Sequence, residues 1–192
     1  MLLYDEFTGS TLNTAIWVAN KGSGTTITQS GGNLNITVPA AVDAWVDLYS
    51  KQAFPVGTTF EARVYVSGGQ WYDHKGIGFA DKKIKYDCGL NQTEAEAAMW
   101  RGQDEANETE TAITGQSCYT QSLGNYSAKW MKLKVVRKSN TQVDFTVDGA
   151  VRTHTAYISS WSLPVRFSVM TYSSAPSNSI SIKIDWVKVT QP

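Results

Sequence analysis

Apolar and polar residues alternate with a period of two through most of this 192-residue chain. In 60-FEARVYV-66 every second residue from Phe60 to Val66 is apolar, whereas Glu61, Arg63 and Tyr65 take the other positions. The same alternation recurs in 143-VDFTV-147, 165-VRFSVMTY-172 and 180-ISIKIDW-186. Because successive side chains of an extended strand point to opposite faces, this pattern predicts β-strands that are buried on one face.

The arrangement of these strands indicates an all-β fold. Further strands are predicted at 25–29, 33–38, 45–50, 76–80, 94–100 and 131–136, and no long segment has the 3.6-residue period of a helix. Turn residues separate the strands, among them Asp148-Gly149, a pair that two-residue hairpins prefer. Residues 101–128 are polar and irregular, which predicts a long loop or a hairpin. We therefore expect one domain over residues 1–192, an antiparallel two-sheet β-sandwich.

Charge and hydropathy exclude two classes of partner. The chain has 17 Lys and Arg residues against 17 Asp and Glu residues, so its net charge is zero. Nucleic-acid binding needs concentrated positive charge, and we expect no such partner. The sequence has no apolar run of the ~20 residues that a membrane span needs, so membrane insertion is not expected either.

The cysteines and sequons bear on localisation. Cys88 and Cys118 are the only cysteines, and they lack partners at metal-binding spacing; they form either a disulfide or two free thiols. Four N-x-S/T sequons are compatible with a protein outside the cell. The opening residues lack the regions of a signal peptide, which leaves a removed signal, a piece of a larger protein, or release by lysis as origins. We expect an extracellular, cell-surface or virion-surface location.

Four stretches together resemble the concanavalin A-like lectin/glucanase superfamily, which includes laminin-G-like and laminarinase-like jelly rolls. The segment 4-YDEFTGSTLNTAIW-17 is similar to its D-F-x-G-x-L-x-x-x-x-W opening motif. The segment 50-SKQAFPVGTTFEARVYVSGG-69 resembles its S-K-x-x-F-x-x-G-x-F-E-A-R-V strand pair. The hairpin 145-FTVDGAV-151 and the last strand 184-IDWVKV-189 complete the match in the same order. The resemblance implies a jelly roll whose concave sheet holds glycan.

The resemblance also implies a structural ion. Several members of the superfamily hold calcium through a last-strand Asp and an acidic residue near the first strand. Here Asp185 with Asp5 or Glu6 would take these positions, and Ca²⁺ is the expected cofactor.

The stretch 93-TEAEAAMW-100 is the nearest match to the catalytic strand of the superfamily's glucanases. Glu94 would lie at the nucleophile and Glu96 at the middle carboxylate, but Ala98 replaces the acid/base. Retaining hydrolysis needs two carboxyl groups, one of which donates a proton, so this departure argues against an enzyme. The two glutamates are interpreted either as solvent-facing residues or as groups that bind sugar hydroxyls.

Aromatic residues beside hydrogen-bonding groups supply the remaining candidates. Sugar rings stack on Trp and Tyr, while charged and amide groups bind the hydroxyls. Trp71, Tyr72 and His74 follow a glycine turn; they either contact a glycan, or Trp71 caps the core and its neighbours form a turn. Trp100 precedes Arg101, and the two either contact a glycan or Trp100 covers the sheet. Four further tryptophans are predicted to be core, since they lie in or beside apolar strand patterns: Trp17, Trp45, Trp130 and Trp186.

These observations favour a non-catalytic carbohydrate-binding or adhesive module that recognises a polysaccharide or other glycan on a concave sheet face. The first alternative is a structural or attachment subunit of a virion or surface filament, with protein neighbours in a larger assembly. The second is a divergent endo-β-glucanase that recruits its missing acid from elsewhere in the chain.

Overall fold

The computed structural model describes residues 1–68, 73–83, 96–103, 106–116, 118–125, 128–171 and 177–192. The described residues form β-strands and turns, and none of them lies in a helix that could span a membrane. The strands are β1 (Leu3–Asp5), β2 (Trp17–Lys21), β3 (Thr26–Ser30), β4 (Asn33–Val38), β5 (Trp45–Phe54), β6 (Thr59–Ser67), β7 (His74–Ala80), β8 (Ala97–Gln103), β9 (Ala106–Ala112), β10 (Tyr119–Asn125), β11 (Trp130–Ser139), β12 (Gln142–Val147), β13 (Ala150–His154), β14 (Leu163–Met170) and β15 (Ile180–Thr190).

The strands form two antiparallel sheets. The eight-stranded sheet has the order β13-β12-β11-β6-β15-β4-β3, and β1 pairs with β15. The seven-stranded sheet has the order β10-β9-β8-β7-β14-β5-β2. The inner faces of both sheets meet in one hydrophobic core. The predicted two-sheet β-sandwich is therefore confirmed.

A chain of aromatic rings runs through this core. Neighbouring ring centroids are 6.0 to 6.3 Å apart, and most pairs meet edge to face, the geometry that aromatic quadrupoles favour. Phe60 comes from the eight-stranded sheet and touches two rings of the opposite sheet, so it joins the two layers. The order of the rings is Phe7, Trp17, Phe167, Phe60, Phe79, Phe54.

Two turn predictions can be compared with the backbone. The irregular segment 101–128 contains the strand pair β9 and β10, so the hairpin is the alternative that forms. Asp148 and Gly149 have φ values of 48° and 89° and connect β12 to β13. Positive φ at both central residues is the requirement of a type I′ hairpin turn, which explains the Asp-Gly pair.

His154 ends the edge strand β13, yet its side chain is fully buried. The sequence around it, 152-RTHT-155, has the composition of an exposed strand edge, so burial of this histidine was not foreseen. Its ring lies 2.8 Å (Nε2) from the Thr109 hydroxyl and 3.0 Å (Nδ1) from the Thr111 hydroxyl, both of β9. The Thr111 hydroxyl also donates to the Ala156 carbonyl. His154 thus links the two sheets through side-chain hydrogen bonds.

Burial lowers the pKa of His154 from 6.5 to about 4. The folded protein therefore holds the neutral ring, whereas the unfolded chain binds a proton below about pH 6.5. Between these two values the unfolded state carries more protons, and the free energy of unfolding falls as the pH falls. The full effect of this shift is on the order of 3 kcal/mol.

We predict that His154→Gln removes this part of the pH dependence. Urea unfolding between pH 7 and pH 5 should show a steeper loss of stability in the wild type than in the variant. The variant should be less stable than the wild type at pH 7, because its side chain does not reproduce both threonine contacts. Equal slopes in the two proteins would contradict the role of the buried ring.

Candidate functional site

An open groove lies on the outer face of the seven-stranded sheet, over β2, β5 and β14. It consists of two adjoining hollows of about 730 Å³ and about 520 Å³ that share Asn20, Asp47 and Lys83. We call the two together the outer groove. Its further lining includes Lys21, Trp45, Tyr49, Lys51, Asp81, Lys82 and Arg166.

Strand alternation places these side chains on one face. In β5 the side chains of Val46 and Leu48 are buried in the core, so Asp47 and Tyr49 point the opposite way. Arg166 lies between the core residues Val165 and Phe167 of β14 and takes the outer face for the same reason. The polar faces of these strands therefore line the groove, and their apolar faces form the core between the sheets.

A buried ion pair forms the floor of the outer groove. Nη1 of Arg166 lies 2.5 and 2.6 Å from the two carboxylate oxygens of Asp47. The same guanidinium donates to the carbonyls of Ala80 and Asp81 and lies 4.5 Å from the centroid of the Tyr49 ring. With its donors directed at fixed acceptors, the guanidinium supports Tyr49 at the edge of the groove.

Trp45 supplies a second aromatic ring. Its side chain is half-buried and lines the groove, so the prediction that it belongs to the core between the sheets is wrong. The ammonium of Lys83 lies 4.0 Å from the ring centroid, a cation–π contact. A Cβ on Gly22 would lie 3.1 Å from the indole, so a glycine there lets the ring approach the backbone.

The rest of the described outer face is closed by other contacts. Small and flexible apolar residues form a second cluster on β7, β8, β9 and β14, and Trp45 packs against it; its members are Ala80, Ala97, Met99, Ala112 and Met170. Beyond it, Arg101 of β8 lies 3.5 Å from a carboxylate oxygen of Glu108 and 3.7 Å from one of Glu110. Arg101 is 2% exposed, so this predicted ligand-binding residue is covered.

Trp100 and Glu96 do not face the outer groove. Ala98 and Trp100 do share one face, as predicted, but that face is the core, and Trp100 donates from Nε1 to the Asn107 side chain at 2.5 Å. The prediction that Trp100 lies open to a glycan is therefore wrong. Glu96 is buried, and its carboxylate accepts a hydrogen bond from the backbone N–H of Thr114. Alternation predicts which residues share a face of the strand, but it does not predict which face points to the core. This explains the error.

The remaining predicted ligand residues divide into two groups. His74, at the start of β7, is buried and 1% exposed. Trp71, Tyr72 and Glu94 lie outside the described residues. The structure thus does not bring the described members of the predicted set together at the outer groove.

The predicted calcium ligands are engaged by protein donors. Asp5 accepts hydrogen bonds from the backbone N–H of Phe7 at 2.9 Å and from Nε1 of Trp17 at 2.8 Å. Glu6 accepts from the Tyr4 hydroxyl, and Asp185 pairs with Arg63 at 2.7 Å. Among the described residues, which include all three carboxylates, no group of three or more metal-binding side chains is gathered. Calcium binding stays a prediction without a site in this part of the chain.

Cys118 is disulfide-bonded. Cys88, the other cysteine of the sequence, lies outside the described residues.

The groove residues Asn20, Asp47, Tyr49, Lys83 and Arg166 were missed by sequence reasoning. A usable signal was present in 45-WVDLYSK-51, where an indole, a carboxylate, a phenol and a lysine share the parity opposite to Val46 and Leu48. Four such groups on one face of a strand would have marked a polar platform. The strand was instead treated only as a source of core residues.

With this geometry established, the fold can be placed among known ones: it is the concanavalin A-like, β-glucanase-type jelly roll. One similar structure belongs to work on endo-acting O-glycanases that human gut bacteria express to initiate mucin breakdown; the TM-score is 0.74 at 15% identity, over 99% of this chain and 98% of that one. A β-1,3-glucanase from Mycobacterium marinum gives a TM-score of 0.67 at 15% identity, over 98% of each chain. An immunostimulatory antigen and pseudo β-1,3-glucanase of Mycobacterium tuberculosis gives 0.68 at 13% identity, over 100% of this chain and 98% of that one.

At these identities the likeness concerns the fold. No protein-family model matches the sequence, and no curated protein is significantly similar to it. The expected jelly-roll fold is thus confirmed by the architecture that these structures share with the whole chain.

We predict that Asp47→Ala destabilises the fold by about 3–5 kcal/mol, because it leaves a buried guanidinium without its carboxylate. Urea unfolding measures the difference from the wild type. The double variant Asp47→Ala, Arg166→Met should be more stable than the single variant, since it removes the uncompensated charge as well. A single variant as stable as the wild type would show that the carbonyls of Ala80 and Asp81 alone suffice to hold Arg166.

Proposed function

We propose that this protein is a carbohydrate-binding module that holds a glycan in the outer groove. The observation that carries the proposal is the placement of two aromatic rings, Trp45 and Tyr49, beside hydrogen-bonding side chains in one open groove. Pyranose rings present apolar C–H faces that pack against aromatic rings, and their hydroxyls need polar partners. Asn20 and the lysines of the groove supply such partners.

The shape of the groove supports a polymer rather than a small enclosed ligand. It lies open on the sheet surface and extends from Pro164 and Ala53 at one end to Lys21 and Trp45 at the other. A chain of sugars can lie across such a surface without being enclosed. The fold shared with glycan-active proteins is compatible with this role.

The carboxylates that line the groove favour binding over hydrolysis. Retaining glycosidases place two carboxyl groups about 5–5.5 Å apart on either side of the scissile bond. Here Asp47 is held by Arg166, and Asp81 accepts a hydrogen bond from the backbone N–H of Glu96. Both groups already serve the fold, so we propose a non-catalytic module. We further propose that it acts outside the cytoplasm, because its disulfide-bonded Cys118 suits an oxidising environment.

The proposal is tested by screening the purified protein on an array of neutral and acidic glycans. Tyr49→Ala and Trp45→Ala should each weaken binding to the best glycan roughly tenfold, since each removes one stacking surface worth about 1–1.5 kcal/mol. Isothermal titration calorimetry with that glycan measures the change.

Trp161→Ala provides the matched control. The Trp161 side chain is 54% exposed and is absent from the lining of the groove. This variant should bind as the wild type does. Silence across the array would contradict the proposal, and a stable oligomer in solution would then favour an assembly subunit. Release of reducing sugar from any bound glycan would show that the protein hydrolyses it and would contradict a non-catalytic role.

A further inference from the structure

Positive charge is concentrated at the outer groove, although the chain as a whole has no net charge. Four cationic side chains and two carboxylates line its larger hollow, and Lys21 adds another cation in the adjoining one. Charged residues make up only 18% of the sequence, so this grouping stands out against a sparsely charged surface. The cations of the larger hollow are Lys51, Lys82, Lys83 and Arg166.

These cations have different roles. Arg166 is neutralised by the buried Asp47 and belongs to the floor. Lys51 and Lys82 are exposed, and no ion pair among the described residues joins either of them to a carboxylate. Some exposed lysines elsewhere in the protein do have such partners, for example Lys129 with Asp148 and Lys138 with Asp144. Lys51 and Lys82 therefore place exposed positive charge at the groove.

We infer that the outer groove binds an acidic polysaccharide, one whose sugars carry carboxylate or sulfate groups. The inference rests on the proposed function and names its ligand class. Trp45 and Tyr49 would stack on sugar rings, while Lys51 and Lys82 would meet the anionic substituents as flexible point charges. Like charges held in one hollow raise the local potential, and a polyanion that enters it relieves their repulsion.

Single-stranded nucleic acid is the other polyanion that aromatic rings and lysines can bind. The observations favour a glycan, because only five of the 17 basic residues line the groove and the chain as a whole has as many acidic as basic residues. Nucleic-acid grooves track a phosphate at every nucleotide and need a longer basic surface. The test therefore includes an oligonucleotide as the alternative ligand.

The test uses three polymers with a common backbone, namely hydroxyethyl cellulose, carboxymethyl cellulose and cellulose sulfate, together with an array of neutral, uronic-acid and sulfated glycans. An oligothymidylate is measured alongside them. The wild type should bind the acidic polymers and glycans more tightly than the neutral ones. The difference between the carboxylated and the sulfated ligands identifies the preferred anion. Binding should weaken as sodium chloride is raised from 50 to 500 mM, because the contacts are exposed to solvent.

The double variant Lys51→Gln, Lys82→Gln should bind the preferred acidic glycan at least tenfold more weakly, and its binding should depend less on salt than that of the wild type. Lys132→Gln, Lys134→Gln is the matched control, since these lysines of β11 lie on the other sheet and outside the groove. Both variants remove two positive charges, so their difference isolates the groove from net charge.

The outcomes separate the two proposals. Binding of neutral glycans as strong as that of acidic ones would overturn the inference and leave the proposed function standing. Acidic binding that the two double variants reduce equally would place the anion outside the groove and also overturn it. Tighter binding of the oligothymidylate than of any glycan would overturn both, as would a failure to bind any glycan.

Discussion

The contact between the inner faces of the two sheets determines where every other side chain goes. Phe60 lies between Phe79 and Phe167 of the opposite sheet, and these three rings are completely buried. In a strand, a slip of one residue would exchange the buried and exposed sets. The requirement to keep such rings inside therefore fixes the parity of each strand. Asp47 and Arg166 reach the outer face because their neighbours along β5 and β14 belong to the core.

The same packing explains how a polar site is held without a rigid loop. Arg166 is supported by Asp47 and by two carbonyls, and it in turn supports Tyr49. Replacement of a buried ion pair by apolar residues is often neutral for stability, so such a pair contributes little net stability compared with an apolar core. Its position beneath the outer groove indicates that orientation of the groove surface is what the pair contributes.

Sequence patterns predicted the fold well because the hydrophobic alternation and the turn residues act locally. The parity of Ala98 and Trp100, the Asp148-Gly149 turn and the hairpin at β9 and β10 all follow from neighbouring residues. The site was harder to predict, because choosing the inner face of a strand depends on distant partners. Trp100 can turn inward since Asn107 accepts from its indole, and His154 can be buried since Thr109 and Thr111 meet its ring. Trp45 shows the converse, because it is an apolar residue next to the core residue Val46 and yet lies on the outer face.

The contact between Lys83 and Trp45 has a consequence for how a ligand would enter. The ammonium lies over the indole ring at 4.0 Å, in the space that a stacked sugar needs. An anionic substituent that draws the ammonium aside would uncover the ring at the same time. Recognition of the charge and recognition of the sugar face would then be cooperative within a single site. The groove would therefore discriminate against a neutral sugar even when its ring has the same shape as that of an acidic sugar.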